Sequence, residues 1–142
     1  MSKHYANAKW EGNLTGGSGK YTLKTSGYEG TLRFSSRFED DKSASSPEEL
    51  IGAALASCFS MALAHALDQA GHTPEKIETS AEVILDKTAA GFSITTIVLK
   101  TKGIIKGVEQ KEFLETAEKT KKTCPVSRAL TAVDIKLEAE LG

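Results

Sequence analysis

The sequence predicts an α+β fold in the order β-β-β-α-β-β-α-β, and three observations carry that prediction. Period-two alternation fills the first third of the chain and recurs near its end. One long apolar segment, Leu50 to Leu67, follows a clear helix start. A second helical pattern lies between the later strands. With 142 residues and 15.2 kDa the chain suits one domain, 1–142, large enough to bury a core.

The elements follow in order. Ala6, Ala8 and Trp10 alternate with Asn7, Lys9 and Glu11. Tyr21 and Leu23 alternate with Lys20, Thr22 and Lys24, and Tyr28, Gly30, Leu32 and Phe34 complete a third strand pattern. Gly16-Gly17-Ser18-Gly19 before Lys20 invites comparison with a phosphate-binding loop. The opening glycine of that pattern would fall at Leu14, Tyr21 occupies the place of a metal-binding Ser or Thr, and a strand follows rather than a helix. A hairpin turn is the reading. Phe38 to Ser45 is a polar loop.

Ser46-Pro47-Glu48-Glu49 starts the long helix, with Ser46 as N-cap, Pro47 at the first helical position and Glu49 completing a capping box. Gly71 should stop it after Ala70. Gly52, Ala56, Ser60 and Ala64 form a stripe of small residues, open to packing within one subunit or against a symmetry mate. Ile77 to Leu85 and Phe92 to Lys100 read as two strands joined at Lys87 to Gly91. Val108 to Thr120 reads as a helix, and Thr123-Cys124-Pro125 interrupts it. Val133, Ile135, Leu137 and Ala139 mark the last strand.

Composition excludes several classes. The net charge is −1 with no long basic run, which argues against nucleic acid or an anionic membrane as partner. Gly52, Ser57, Cys58, Ser60 and His65 interrupt the apolar segment, so it reads as a core helix rather than a membrane span. Met1 to Tyr5 has no apolar signal core, and a cytoplasmic location is expected. Two cysteines and three histidines give no metal-ligand spacing. Neither metal nor cofactor is expected.

Cys58 lies in mid-helix, where it could be a small buried hydrophobe or a nucleophile. Cys124 precedes Pro125, which favours a helix start. There the positive end of a helix dipole would lower its pKa, although a Cys-Pro pair is as readily a simple turn. Local rules therefore rank Cys124 as the more reactive thiol.

Several segments carry a resemblance to a known family. Ser36-Arg37-Phe38-Glu39, the run from Pro47-Glu48-Glu49-Leu50 through Ala56-Ser57-Cys58-Phe59 to Leu63, Leu85-Asp86-Lys87 with Gly91-Phe92, and Cys124-Pro125-Val126-Ser127 together resemble the osmotically inducible protein C family, related to the organic hydroperoxide resistance proteins. The resemblance spans nearly the whole chain, and the Arg-Phe-Glu element favours the osmotically inducible branch. It implies a thiol peroxidase built as an intertwined homodimer, with a long central helix packed on antiparallel sheets. Cys58 would be the peroxidatic cysteine, Cys124 the resolving one, Arg37 the stabiliser of the Cys58 thiolate, and Glu48 the residue that holds Arg37. The implied partners are an organic hydroperoxide and an external dithiol, lipoyl-type thiols among the candidates.

The chemistry accounts for these residue types. A thiolate attacks peroxide, burial in an apolar helix disfavours the thiolate, and an arginine stays charged even when partly buried. Glu48 precedes Cys58 by ten residues, about 15 Å along one helix. This spacing motivates the expectation that Arg37 and Glu48 of one chain serve Cys58 of the other. The competing readings are a redox sensor that forms the same disulfide without turnover, or a protein that holds an apolar ligand.

Overall fold

In the computed structural model, which describes residues 1–142, the alternating N-terminal segments form a meander. Strands β1 (Ala6–Glu11), β2 (Ser18–Leu23) and β3 (Tyr28–Leu32) pair antiparallel in that order, from Ala6 opposite Leu23 to Glu11 opposite Ser18 and from Gly19 opposite Leu32 to Leu23 opposite Tyr28. The Gly-rich segment is a hairpin turn: the Gly17 N–H donates to the Asn13 carbonyl at 2.9 Å and β2 follows directly. These strands belong to the first of two compact units, residues 1–50, and the second comprises residues 51–142.

A short helix α1 (Ser35–Phe38) follows β3 and carries Arg37. Periodicity could not reveal it, because one turn shows no repeat. Side-chain bonds fix it instead. The Ser35 hydroxyl donates to Asp41 Oδ2 at 2.6 Å, the Ser43 N–H donates to Asp41 Oδ1 at 2.8 Å, and the Ser36 hydroxyl donates to the Ser45 carbonyl at 2.8 Å. The bonds from Ser35 and Ser43 hold the Asp41 carboxyl at a pKa of about 2. Among residues 1–50 only Gly19 and Glu48 are buried, so this unit contains no buried apolar side chain.

Helix α2 (Pro47–Gln69) begins where expected. The Ser46 hydroxyl accepts the Glu49 N–H at 3.1 Å, while the reciprocal bond from the Glu49 carboxylate is not made. Gly71 ends the helix with φ +88°. Its N–H donates to the Asp68 carbonyl and the His72 N–H to the Leu67 carbonyl, both at 2.9 Å, a pattern that only a left-handed residue at position 71 allows cheaply.

Within the second unit, Leu55, Phe59, Leu63 and Leu67 recur every fourth residue and are fully buried. They meet the second sheet, β4 (Lys76–Thr88), β5 (Gly91–Ile104) and β6 (Asp134–Leu141), through Ile97 and Leu99, with Phe113 and Ala117 of α3 (Gln110–Thr123) closing the core. The stripe of small residues serves this packing. A Cβ on Gly52 would sit 3.2 Å from Val83 Cγ2, and the Ser60 hydroxyl donates to Thr79 Oγ1 at 2.8 Å. At these positions the helix faces its own sheet, so the alternative of a partner helix against this stripe is corrected. The opposite face, with Ala53, Ala54, Ser57, Met61 and His65, is exposed. The expectation of a core helix therefore holds for one face only.

The sheets are not wholly antiparallel. β4 and β5 form a long antiparallel hairpin, but β6 lies parallel to β5, with Thr96 opposite Asp134 and Gly103 opposite Leu141. The reason is the crossover through α3 and α4 (Pro125–Ala129), which returns the chain to the end where β5 began. Cys124 joins these two helices. Its N–H donates to the Thr120 carbonyl at 2.8 Å, closing α3, and its carbonyl accepts the Arg128 N–H at 3.0 Å, opening α4. Its ψ of 125° is the extended value that a following proline imposes.

Candidate active site

The four residues singled out by sequence form two pairs, one in each unit. In residues 1–50, Arg37 on α1 meets Glu48 in the first turn of α2. Arg37 Nε lies 3.2 and 3.1 Å from the two Glu48 oxygens, and Nη2 lies 2.5 Å from Oε1. This fork fixes the plane of the guanidinium. Glu48 is only 7% exposed, a burial that a carboxylate tolerates when paired. Burial works to raise its pKa, but the hydrogen bonds and charge of Arg37, with smaller help from its own N–H and Ser46, bring it below the ordinary value of 4.5. Arg37 also lies over the Phe38 ring, 5.3 Å from its centroid.

The sign of that shift makes a prediction. A carboxyl that is more acidic when folded adds stability above its unfolded pKa and loses that contribution as pH falls through the folded one. The melting temperature should therefore drop as pH is lowered below 4.5, and Glu48→Gln should flatten that part of the profile. Thermal melts across an acid pH series measure both.

In residues 51–142, Cys58 and Cys124 stand 66 positions apart in sequence and 3.1 Å apart in space, both as free thiols. Cys124 is fully buried and Cys58 partly so. The neighbours of Cys58 along its helix face are Ala54, Leu55, Met61 and Ala62, all apolar. Burial pushes the Cys58 thiol above its ordinary value. The hydrogen bond with Cys124 pushes it further, the Val126 N–H opposes the rise, and the charge of Cys124 adds a smaller upward push. No cation is among these influences. Burial also works to raise Cys124. It is outweighed by the Ser127 N–H, the Cys58 thiol, the Ser127 hydroxyl and the Val126 N–H, so the net shift is downward. The local ranking from sequence, Cys124 as the more acidic thiol, thus holds in the single chain.

The geometry can form a disulfide with little movement and can hold one negative charge on the sulfur pair. No group of three or more His, Cys, Asp or Glu residues is disposed to hold a metal ion. A concavity of about 580 Å³ lies on the second sheet, lined by residues that include Glu78, Thr79, Lys100, Thr101 and Glu138. Its charges are mixed and it includes neither cysteine. The Val126 and Ser127 amides were not singled out from sequence. The Cys-Pro pair was their only signal, since Pro125 starts the turn that aims them.

The model of the OsmC-like protein family matches residues 39–138. The chain belongs to the OsmC-like family. It is 44% identical over 139 residues to the peroxiredoxin OsmC of Escherichia coli (strain K12), covering 94% of this chain and 93% of that protein. Solved structures share the fold. An OsmC-like protein of unknown function from Vibrio cholerae superposes with a TM-score of 0.80 at 18% identity, over 98% of this chain and 99% of the other. An organic hydroperoxide resistance protein OsmC from Legionella pneumophila gives 0.70 at 23% identity, over 100% and 99%. The OsmC-like α+β architecture, long central helix included, is therefore the fold of this chain.

Proposed function

We propose that the protein reduces organic hydroperoxides to alcohols with two cysteines, Cys58 as the attacking thiolate and Cys124 as the resolving thiol, and that it works as a homodimer in the cytoplasm. The coarser part, a peroxidase of the OsmC-like family, rests on 44% identity to a peroxiredoxin along nearly the full length of both chains. The observation that carries the rest is the 3.1 Å approach of two thiols otherwise far apart in the chain.

In the proposed cycle the Cys58 thiolate attacks the distal peroxide oxygen and the O–O bond breaks. The alkoxide leaves and takes a proton to become the alcohol, and Cys58 becomes a sulfenic acid. The Cys124 thiolate then attacks that sulfur, hydroxide departs as water after protonation, and a Cys58–Cys124 disulfide forms. An external dithiol reduces it by two exchanges and is itself oxidised to a disulfide. The apolar neighbours of Cys58 favour organic peroxides over hydrogen peroxide.

Two observations support the dimer. A three-stranded sheet without a buried apolar side chain needs a covering surface. The outer face of α2 presents Ala53, Ala54 and Met61, the last 74% exposed. Such a dimer would let the Arg37–Glu48 pair of one chain serve Cys58 of the other, supplying the missing cation. Mixing reduced protein with an organic hydroperoxide and a dithiol tests the function. Catalytic peroxide loss, faster with the organic peroxide than with hydrogen peroxide, is expected. Disulfide formation without turnover, whatever the dithiol, would replace this reading with that of a sensor.

A further inference from the structure

Ser127 lies three residues beyond Cys124 in the first turn of α4 and is 6% exposed. Its hydroxyl oxygen is buried and makes no hydrogen bond of ordinary geometry. A buried hydroxyl without a partner is unfavourable and needs a reason for being there. Alanine would fit the same turn with nothing to satisfy. The Cys124 sulfur is a polar group within this hydroxyl's influence.

We propose that Ser127 is a positioning residue whose hydroxyl donates to Cys124 when that sulfur becomes a thiolate. This rests on the resolving role given to Cys124 above. In the reduced pair the Cys58 sulfur lies 3.1 Å away, and its thiol is among the groups that favour charge on Cys124. Once Cys58 is oxidised, its thiol proton is gone, and Cys124 must carry charge alone while it attacks. The same need returns when the dithiol opens the disulfide and Cys124 departs, because a better-stabilised thiolate leaves faster. The Val126 and Ser127 amides also favour charge on the Cys124 sulfur. The hydroxyl adds a fourth contact that can turn toward the charge as it appears, and bonds from O–H to an anion are among the stronger ones.

The test starts in the Cys58→Ser background, where Cys124 is the sole thiol. Its titration is followed by the ultraviolet absorbance of the thiolate with and without Ser127→Ala. The alanine variant should need about tenfold lower proton concentration to reach half-ionisation. Ser127→Thr, which keeps the hydroxyl, should restore the parent profile. In the two-cysteine protein, Ser127→Ala should slow disulfide formation about tenfold after one equivalent of peroxide while leaving oxidation of Cys58 unchanged. A titration and a disulfide rate both unmoved by Ser127→Ala overturn the proposal even if the protein turns over peroxide. If the protein consumes no peroxide, the peroxidase reading fails and the titration alone decides the Ser127 contact.

Discussion

Cys58→Ser should reduce peroxide consumption to the rate of peroxide with dithiol alone, while Cys124→Ser should leave one fast oxidation of Cys58 that then stalls. The asymmetry follows from the chemistry of the pair. Only the residue that receives the peroxide oxygen is needed for the first step, and a serine hydroxyl is not ionised near neutral pH. Removing Cys124 leaves that step intact but strands Cys58 as a sulfenic acid, open to further oxidation. Stopped-flow measurement of peroxide loss, with mass analysis of the stalled species, separates the two variants. The reverse pattern, with Cys58 dispensable for the first turnover, would assign the attack to Cys124, the thiol that its own surroundings make more acidic.

The second large effect concerns Arg37. In the single chain, burial and Cys124 hold the Cys58 thiol above its usual range. If Arg37 is the cation that reverses this, Arg37→Met should raise the Cys58 pKa by about one to three units and cut the rate at neutral pH about ten- to a thousandfold. Raising the pH should recover much of the loss, because the thiolate then forms without help. Arg37→Lys should rescue poorly, since a point charge cannot reproduce the fork that Arg37 makes with both Glu48 oxygens. Mixing chains tests the cross-subunit arrangement. At neutral pH the Arg37→Met protein should be slow and the Cys58→Ser protein inactive, but after dissociation and reassociation together a mixed dimer would unite the Arg37 of one chain with the Cys58 of the other. Recovered activity supports service across the interface. None recovered, with mixed dimers present, places both groups in one chain.

Much of the fold was legible because its signals are periodic. The β1–β3 alternation, the Ser46 cap, the Gly71 stop and the β6 pattern each express a local rule that the structure obeys. What could not be read depends on partners distant in sequence. Whether β6 runs parallel or antiparallel to β5 is decided by the crossover, and alternation looks the same in either case. The Gly52 and Ser60 stripe was ambiguous because a sheet and a helix both welcome small side chains. The single turn that carries Arg37 is held by Ser35, Ser36 and Asp41 contacts rather than by a repeat. At the candidate site, the resemblance named all four residues, while residue-level rules ranked Cys124 first. That ranking describes the chain's own electrostatics correctly, and it leaves Cys58 in need of a charge that its near neighbours do not supply.

The 66-residue separation of the two thiols has a consequence for endurance rather than for chemistry. A bond between them would act as a staple across nearly half of the chain, and by loop-closure entropy it would remove freedom from the unfolded state worth about 4 kcal/mol. A protein that cycles through that bond alternates between a hardened and a softened form. On the proposed cycle the softened one would be the reduced, ready form, so a molecule waiting for peroxide would also be the one most open to heat and proteases, and each encounter with peroxide would shelter it until the next reduction.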